Sequence, residues 1–198
     1  MKAVVIIGPG GSGKTTSAVY TCMLDKTICF MSGNRIFVQG TKVVSGVSGV
    51  RLRAGSLKLE LGLRGPSVPS HLGFYDTKVS LTPEEIGLSN NPKYPIKLGK
   101  IIIAKKFEKA ITVQKLNTSN EDQMNEAFLN LYSSTSEFSE NFPNFLLGPK
   151  IPYPDLFTNR LRTARISFIK GLLRSVDVVK IEGKLEEISS YITYEIRR

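Results

Sequence analysis

Unbroken apolar runs of strand length alternate along the chain with stretches whose apolar residues recur every three or four positions. These are the signatures of buried strands and of packed helices. Lys2–Ile7 (KAVVII) is a run of the first kind and predicts a strand covered on both faces of a parallel or mixed sheet. After a glycine-rich loop, residues 14–24 are helix-compatible and contain no proline or glycine, and 27–31 (TICFM) predicts a second buried strand. The chain is thus expected to open as strand, loop, helix, strand. From 35 to 61, the β-rich pieces RIFVQ, KVV, VRLR and LKLEL are separated by Gly40, Gly46, Gly49 and Gly55, which predicts hairpins joined by glycine turns.

Residues 62–75 and 87–99 are rich in Gly, Pro, Ser and Asn and predict loops, with a strand at 78–81 between them. Two more strands are expected at 100–106 and 110–116. Thr118 and Glu121 have capping-box spacing, and Met124, Ala127, Phe128 and Leu131 recur at helical intervals behind them, so a helix is expected to about Tyr132. Pro143, Pro149, Pro152 and Pro154, among serines and phenylalanines, predict a long connector over 133–154. Asp155 then caps a helix with Phe157, Leu161, Ala164, Phe168 and Leu172 as its core stripe, followed by a strand at 176–181 and a terminal helix from about Leu185. No internal repeat or linker divides this order. The expectation is a single α/β domain over residues 1–198, with a mixed sheet, glycine-rich hairpins and flanking helices.

Composition narrows the class. With 41% hydrophobic and 22% charged residues, the chain matches neither a disordered segment nor a coiled coil. Its longest apolar runs, such as AVVII at 3–7, fall far short of the roughly 20 residues that cross a bilayer. The opening residues lack the layout of a signal peptide, so a cytoplasmic protein without a membrane partner is expected. Cys22 and Cys29 have no metal-site spacing and are expected to be buried free thiols. An excess of 27 basic over 17 acidic residues, a formal charge of +10, favours an anionic partner: nucleotide phosphate, nucleic acid or an acidic protein surface.

The most specific motif is Gly8-Pro9-Gly10-Gly11-Ser12-Gly13-Lys14-Thr15, which matches G-x-x-x-x-G-K-[ST] between a strand and a helix. Glycines let successive backbone N–H groups turn inward around an anion, and the new helix adds unpaired amides and its positive dipole end. ATP with Mg²⁺ is the expected ligand. Lys14 would bridge the terminal phosphates, Thr15 would give its hydroxyl to the metal, and Thr16 would lie near the α-phosphate.

Turnover also calls for an acid that holds metal or positions the nucleophile. The turn after 27–31 reads Ser32-Gly33-Asn34-Arg35, so Asn34 offers an amide oxygen, with a turn residue as its plainer role. Asp76, just before the strand at 78–81, is the carboxylate candidate. Lys14, Asn34 and Asp76 therefore form the candidate catalytic set. No N-K-x-D guanine signature occurs. His71, near Arg64, is a surface residue or a substrate contact. Arg160, Arg162, Arg165, Lys170 and Arg174 share one helix without an intervening acid and read as a solvated face before a binding face.

In its order of elements the chain resembles the P-loop kinases grouped with HPr kinase/phosphorylase and phosphoenolpyruvate carboxykinase. The resemblance rests on the P-loop, on ICFMSGNRIFVQGTKVVSGVSGVRLRAG after it, and on IIIAKK, ITVQKL, a helix and an Arg-rich helix leading into VDVVKI. It implies a P-loop nucleotide-binding domain that is phosphoenolpyruvate carboxykinase-like. It also implies phosphoryl transfer from ATP to a small-molecule or protein acceptor. Members of the group carry adjacent acids after the second strand, where this chain has Gly33-Asn34. Two expectations follow: a kinase, phosphotransferase or ATPase, or a nucleotide-binding regulator without catalytic acids. A basic NTPase acting on nucleic acid ranks third, because aromatic and basic residues are not interleaved as in single-strand binders.

Overall fold

The apolar centre of the chain is Ile96–Lys106, an eleven-residue strand on which the main sheet is assembled. The computed structural model describes residues 2–63, 77–147 and 159–198. Its first half holds β1 (Lys2–Ile7), α1 (Lys14–Leu24), β2 (Ile36–Gln39), β3 (Lys42–Gly46), β4 (Val50–Arg53) and β5 (Lys78–Leu81). The second half holds β6 (Ile96–Lys106), β7 (Thr112–Leu116), α2 (Glu121–Leu147), α3 (Asn159–Ser175), β8 (Asp177–Gly183) and α4 (Leu185–Arg197).

β1 and β8 lie parallel to β6 on its two edges, and β7 extends the sheet antiparallel to β8. The β2–β3 hairpin joins antiparallel at Ile96 and Lys97, ahead of the stretch that β8 uses. Between Leu98 and Lys100 the β1 register skips Gly99, a bulge that changes which face the following residues point to. Ile96 and Leu98 before it, and Ile101 and Ile103 after it, therefore all enter one core with α2 and α3. Ile102 and Ala104 point the other way and pack with Ile188 and Ile192 of α4. α1 lies alongside α4, and its outer side covers the separate β4–β5 ladder. The result is an α/β fold with a mixed sheet covered by helices on both faces. Among the described residues no helix is long and apolar enough to cross a membrane.

Several expectations are corrected. Residues 27–31 form no strand: the Phe30 N–H donates to Ser89 O at 2.8 Å, and the Asn91 N–H donates to the Cys29 sulfur at 3.3 Å. Ile28 and Phe30 are buried without a ladder, and the parallel neighbour of β1 is β6. LKLEL is a π-helical turn, Ser56–Glu60, not a strand. The loop expected over 87–99 ends at Ile96, where β6 begins.

The α2 cap is Asn120, whose Oδ1 accepts from the Gln123 N–H at 3.1 Å, rather than Thr118. α2 also runs past Tyr132 to Leu147, because serines weaken a helix without breaking it; the Ser134 hydroxyl donates to Asn130 O at 2.8 Å. In α3, Ala164 and Phe168 are exposed, and the buried stripe is Ile169, Leu172 and Leu173, continued by Val176 just after the helix. The expected connector over 133–154 is thus corrected: 133–147, Pro143 included, belong to α2, while 148–154, Asp155 and Phe157 lie outside the described residues.

Candidate functional site

Ile7 leaves the sheet at the carboxyl end of β1, and the chain turns through residues 8–13 into α1. Carboxyl ends of parallel strands are where α/β sheets bind ligands, because there the turns into helices expose backbone amides. Gly8, with φ +150°, passes so close to β6 that a Cβ would fall 2.6 Å from Ala104 O and 2.8 Å from Ser12 Oγ. The loop is fastened to β6 a second time by the Lys106 N–H, which donates to Ser12 O at 3.1 Å. Pro9, Gly10 and Gly11 are exposed, and nothing stands within 4 Å of a Cβ built at Gly10 or Gly11. The loop is anchored at its base and open at its tip.

α1 starts at Gly13 in left-handed conformation with no side-chain cap and no acid in its first turn. Its first helical bond runs from the Ser17 N–H to Gly13 O at 2.8 Å. The N–H groups of Lys14, Thr15 and Thr16 therefore face the loop without helical acceptors. The Lys14 ammonium arches over the loop and donates to Gly8 O at 2.8 Å and Pro9 O at 2.7 Å. Thr16 is buried, as is Ser12, whose hydroxyl lacks a partner among the described residues. Amides, a helix dipole and one ammonium thus converge on an open loop, the donor set of anion recognition.

The turn at 32–35 lies against this loop. The Thr15 hydroxyl donates to Gly33 O at 3.2 Å, which sets exposed Asn34 one residue from the candidate metal-binding hydroxyl. Ser32 shapes the turn: its hydroxyl accepts the Arg35 N–H at 3.1 Å and lies 2.8 Å from Val47 O. Asp76 falls outside the described residues, together with His71 and Arg64. Of the candidate catalytic set, Lys14 and Asn34 are described, and they meet only through their chain neighbours, by the Thr15–Gly33 hydrogen bond.

One carboxylate near the loop was not visible as such in the sequence. Glu60, at the end of the π-helical turn, pairs with Lys106 at 2.8 Å, and the Lys106 stem would lie 3.2 Å from a Cβ on Gly13. Only the folded chain unites Glu60 with the end of β6, 46 positions away, and the pattern of LKLEL does not distinguish it.

Other charged groups belong to the scaffold. Thr27 hydrogen bonds, then Arg197, hold the Asp25 carboxyl below its usual range at the far end of α1. Burial acts first on Glu195, raising its pKa, but hydrogen bonds from Lys100 and Tyr191 outweigh it and leave the net value lowered. Both cysteines are free; burial, then the neighbouring Cys29, pushes the Cys22 thiol up to about 12. Among the described residues, no three His, Cys, Asp or Glu side chains gather as a metal site. Comparison with protein-family models, with curated proteins and with solved structures finds no match.

Proposed function

We propose that this protein binds the phosphate chain of ATP, with Mg²⁺, in the loop of residues 8–13, as a P-loop domain of the kinase-like group that it resembles in sequence. The single observation carrying this reading is the convergence of the uncapped α1 amides and the Lys14 ammonium on a loop that is open at Gly10 and Gly11. That donor set fits a polyphosphate: charge-assisted hydrogen bonds from a lysine and from amides are the strong ones. Lys14 and the loop amides would hold the phosphates, and the Thr15 hydroxyl would hold the metal with Asn34 adjacent. Mg²⁺ would supply charge neutralisation on the phosphate oxygens. Phosphoryl transfer to a small-molecule or protein acceptor, or to water, is the reaction class. Asp76, Asn34 and Glu60 are the groups to be tested for assisting it.

Thr15 also supports a second reading, a nucleotide-binding regulator. Its hydroxyl donates to Gly33 O, so a metal bound through that hydroxyl's oxygen would bear directly on the 32–35 turn. Calorimetric titration of ATP and ADP with Mg²⁺ tests the binding that both readings share. Lys14→Ala is expected to weaken it at least about tenfold while leaving the circular dichroism spectrum unchanged. Equal affinity in the wild type and the variant, or no heat with any nucleotide, overturns the proposal. Binding without hydrolysis or transfer selects the regulator.

A further inference from the structure

At the opposite end of the sheet from the glycine loop, where β1, β6 and β8 begin and β7 ends, the surface folds into a cavity of about 610 Å³. The length of β1 alone puts about 20 Å between the two ends. Lys2, Lys97, Lys115 and Arg174 line the cavity against one carboxylate, Asp177, which pairs with Lys115 at 3.0 Å. The side chains of Lys2, Lys97 and Arg174 have no hydrogen-bond or ion-pair partner among the described residues. Glu195, the acid held under the neighbouring stretch of β6, is already paired with Lys100.

The backbone sharpens this imbalance. Lys2 and Lys97 are direct partners in the β1–β6 ladder, and Lys97 is also the partner of Lys42 in the β3–β6 ladder. Three lysines therefore stand in register on adjacent strands, an arrangement that destabilises a sheet unless an anion neutralises it. Lys2 is exposed, but its stem lies across the bulge of β6: a Cβ on Gly99 would fall 2.9 Å from Lys2 Cβ and 3.0 Å from its Cδ. The glycine that corrects the face of β6 also makes room for a lysine stem at the cavity. Leu98, Leu116 and Leu173 contribute to the lining beneath the cations.

We propose that this cavity is a second anion site, remote from the glycine loop, that takes a small phosphate ester. The cations would pair with the phosphate and the leucine floor would pack against its carbon part. Several cations with unpaired side chains around one open concavity match a dianion better than a carboxylate, and a local concavity with leucines in its lining suits a small ester better than a nucleic-acid strand, which needs an extended basic track.

Calorimetric titrations of phenyl phosphate and inorganic pyrophosphate into the full chain at low salt test this. Phenyl phosphate is expected to bind the wild type and Lys14→Ala with equal affinity, and to bind Lys97→Gln/Arg174→Gln at least about tenfold more weakly. Without ligand, Lys97→Gln is expected to unfold at a higher urea concentration than the wild type, because the lysine row is relieved; this readout does not depend on ligand choice. The proposal is overturned by equal binding in the double variant, by loss of phenyl phosphate binding in Lys14→Ala, by a lowered urea midpoint in Lys97→Gln, or by a chain that binds oligonucleotides and neither phosphate probe.

Discussion

Gly8→Ala tests whether the base of the candidate site is as tightly built as its geometry states. The new methyl would fall 2.6 Å from Ala104 O, and Ala104 is fully buried in the β6–β8 ladder opposite Ile181, so that oxygen cannot retreat without disturbing the sheet. Ser12 Oγ, at 2.8 Å, can move by rotating about its own side-chain bond and adds less. Residue 8 also has φ +150°, where an L side chain is strained by about 1–3 kcal/mol. Overpacking against fixed atoms costs a further ~1–3 kcal/mol. The sum, about 2–6 kcal/mol, is a large part of the ~5–15 kcal/mol that holds a domain folded.

Gly10→Ala is the matched control, because position 10 has no positive φ and no atom within 4 Å of the added carbon. Its stability is expected to stay within about 0.5 kcal/mol of the wild type. Urea unfolding followed by circular dichroism reads both variants. Equal midpoints for Gly8→Ala and Gly10→Ala would refute the reasoning, since the two add the same methyl and differ in the φ angle and the surroundings that it meets.

If the protein turns over ATP, Asp76→Asn is expected to lower kcat at least about tenfold and Asp25→Asn to leave it unchanged; an unaltered rate in Asp76→Asn moves the role to Asn34 or Glu60. The Cys22 thiol, raised by burial from 9.0 to about 12, keeps its proton in the folded chain after the unfolded chain has lost it. Its contribution to stability is therefore complete below about pH 9 and is lost as the pH rises towards 12. The gap in urea midpoint between wild type and Cys22→Ala should narrow between pH 8.5 and 10.5, and a constant gap contradicts the assignment.

Local pattern carried much of this protein. The run KAVVII, the proline- and glycine-free 14–24, the strand at 78–81, the stripe Met124, Ala127, Phe128 and Leu131, and the onset of the last helix at Leu185 all stand in the fold where their periodicity put them. The glycine loop between strand and helix was legible for the same reason: its chemistry lies in consecutive residues.

Contacts between distant residues were not legible. LKLEL fits a strand at spacing two and a helix at spacing four; packing chose the helix, burying Leu57 and Leu61 and leaving Leu59 66% exposed. TICFM is apolar enough for a strand, but its backbone and Cys29 bond to residues 89–91 instead of to a ladder, so Ile28 and Phe30 reach their core without one. The pairing of Glu60 with Lys106, and the row of Lys42, Lys97 and Lys2, join residues tens of positions apart. Periodicity reports which face of an element is buried, whereas strand order and register depend on long-range pairing, and that pairing alone decided which charges meet.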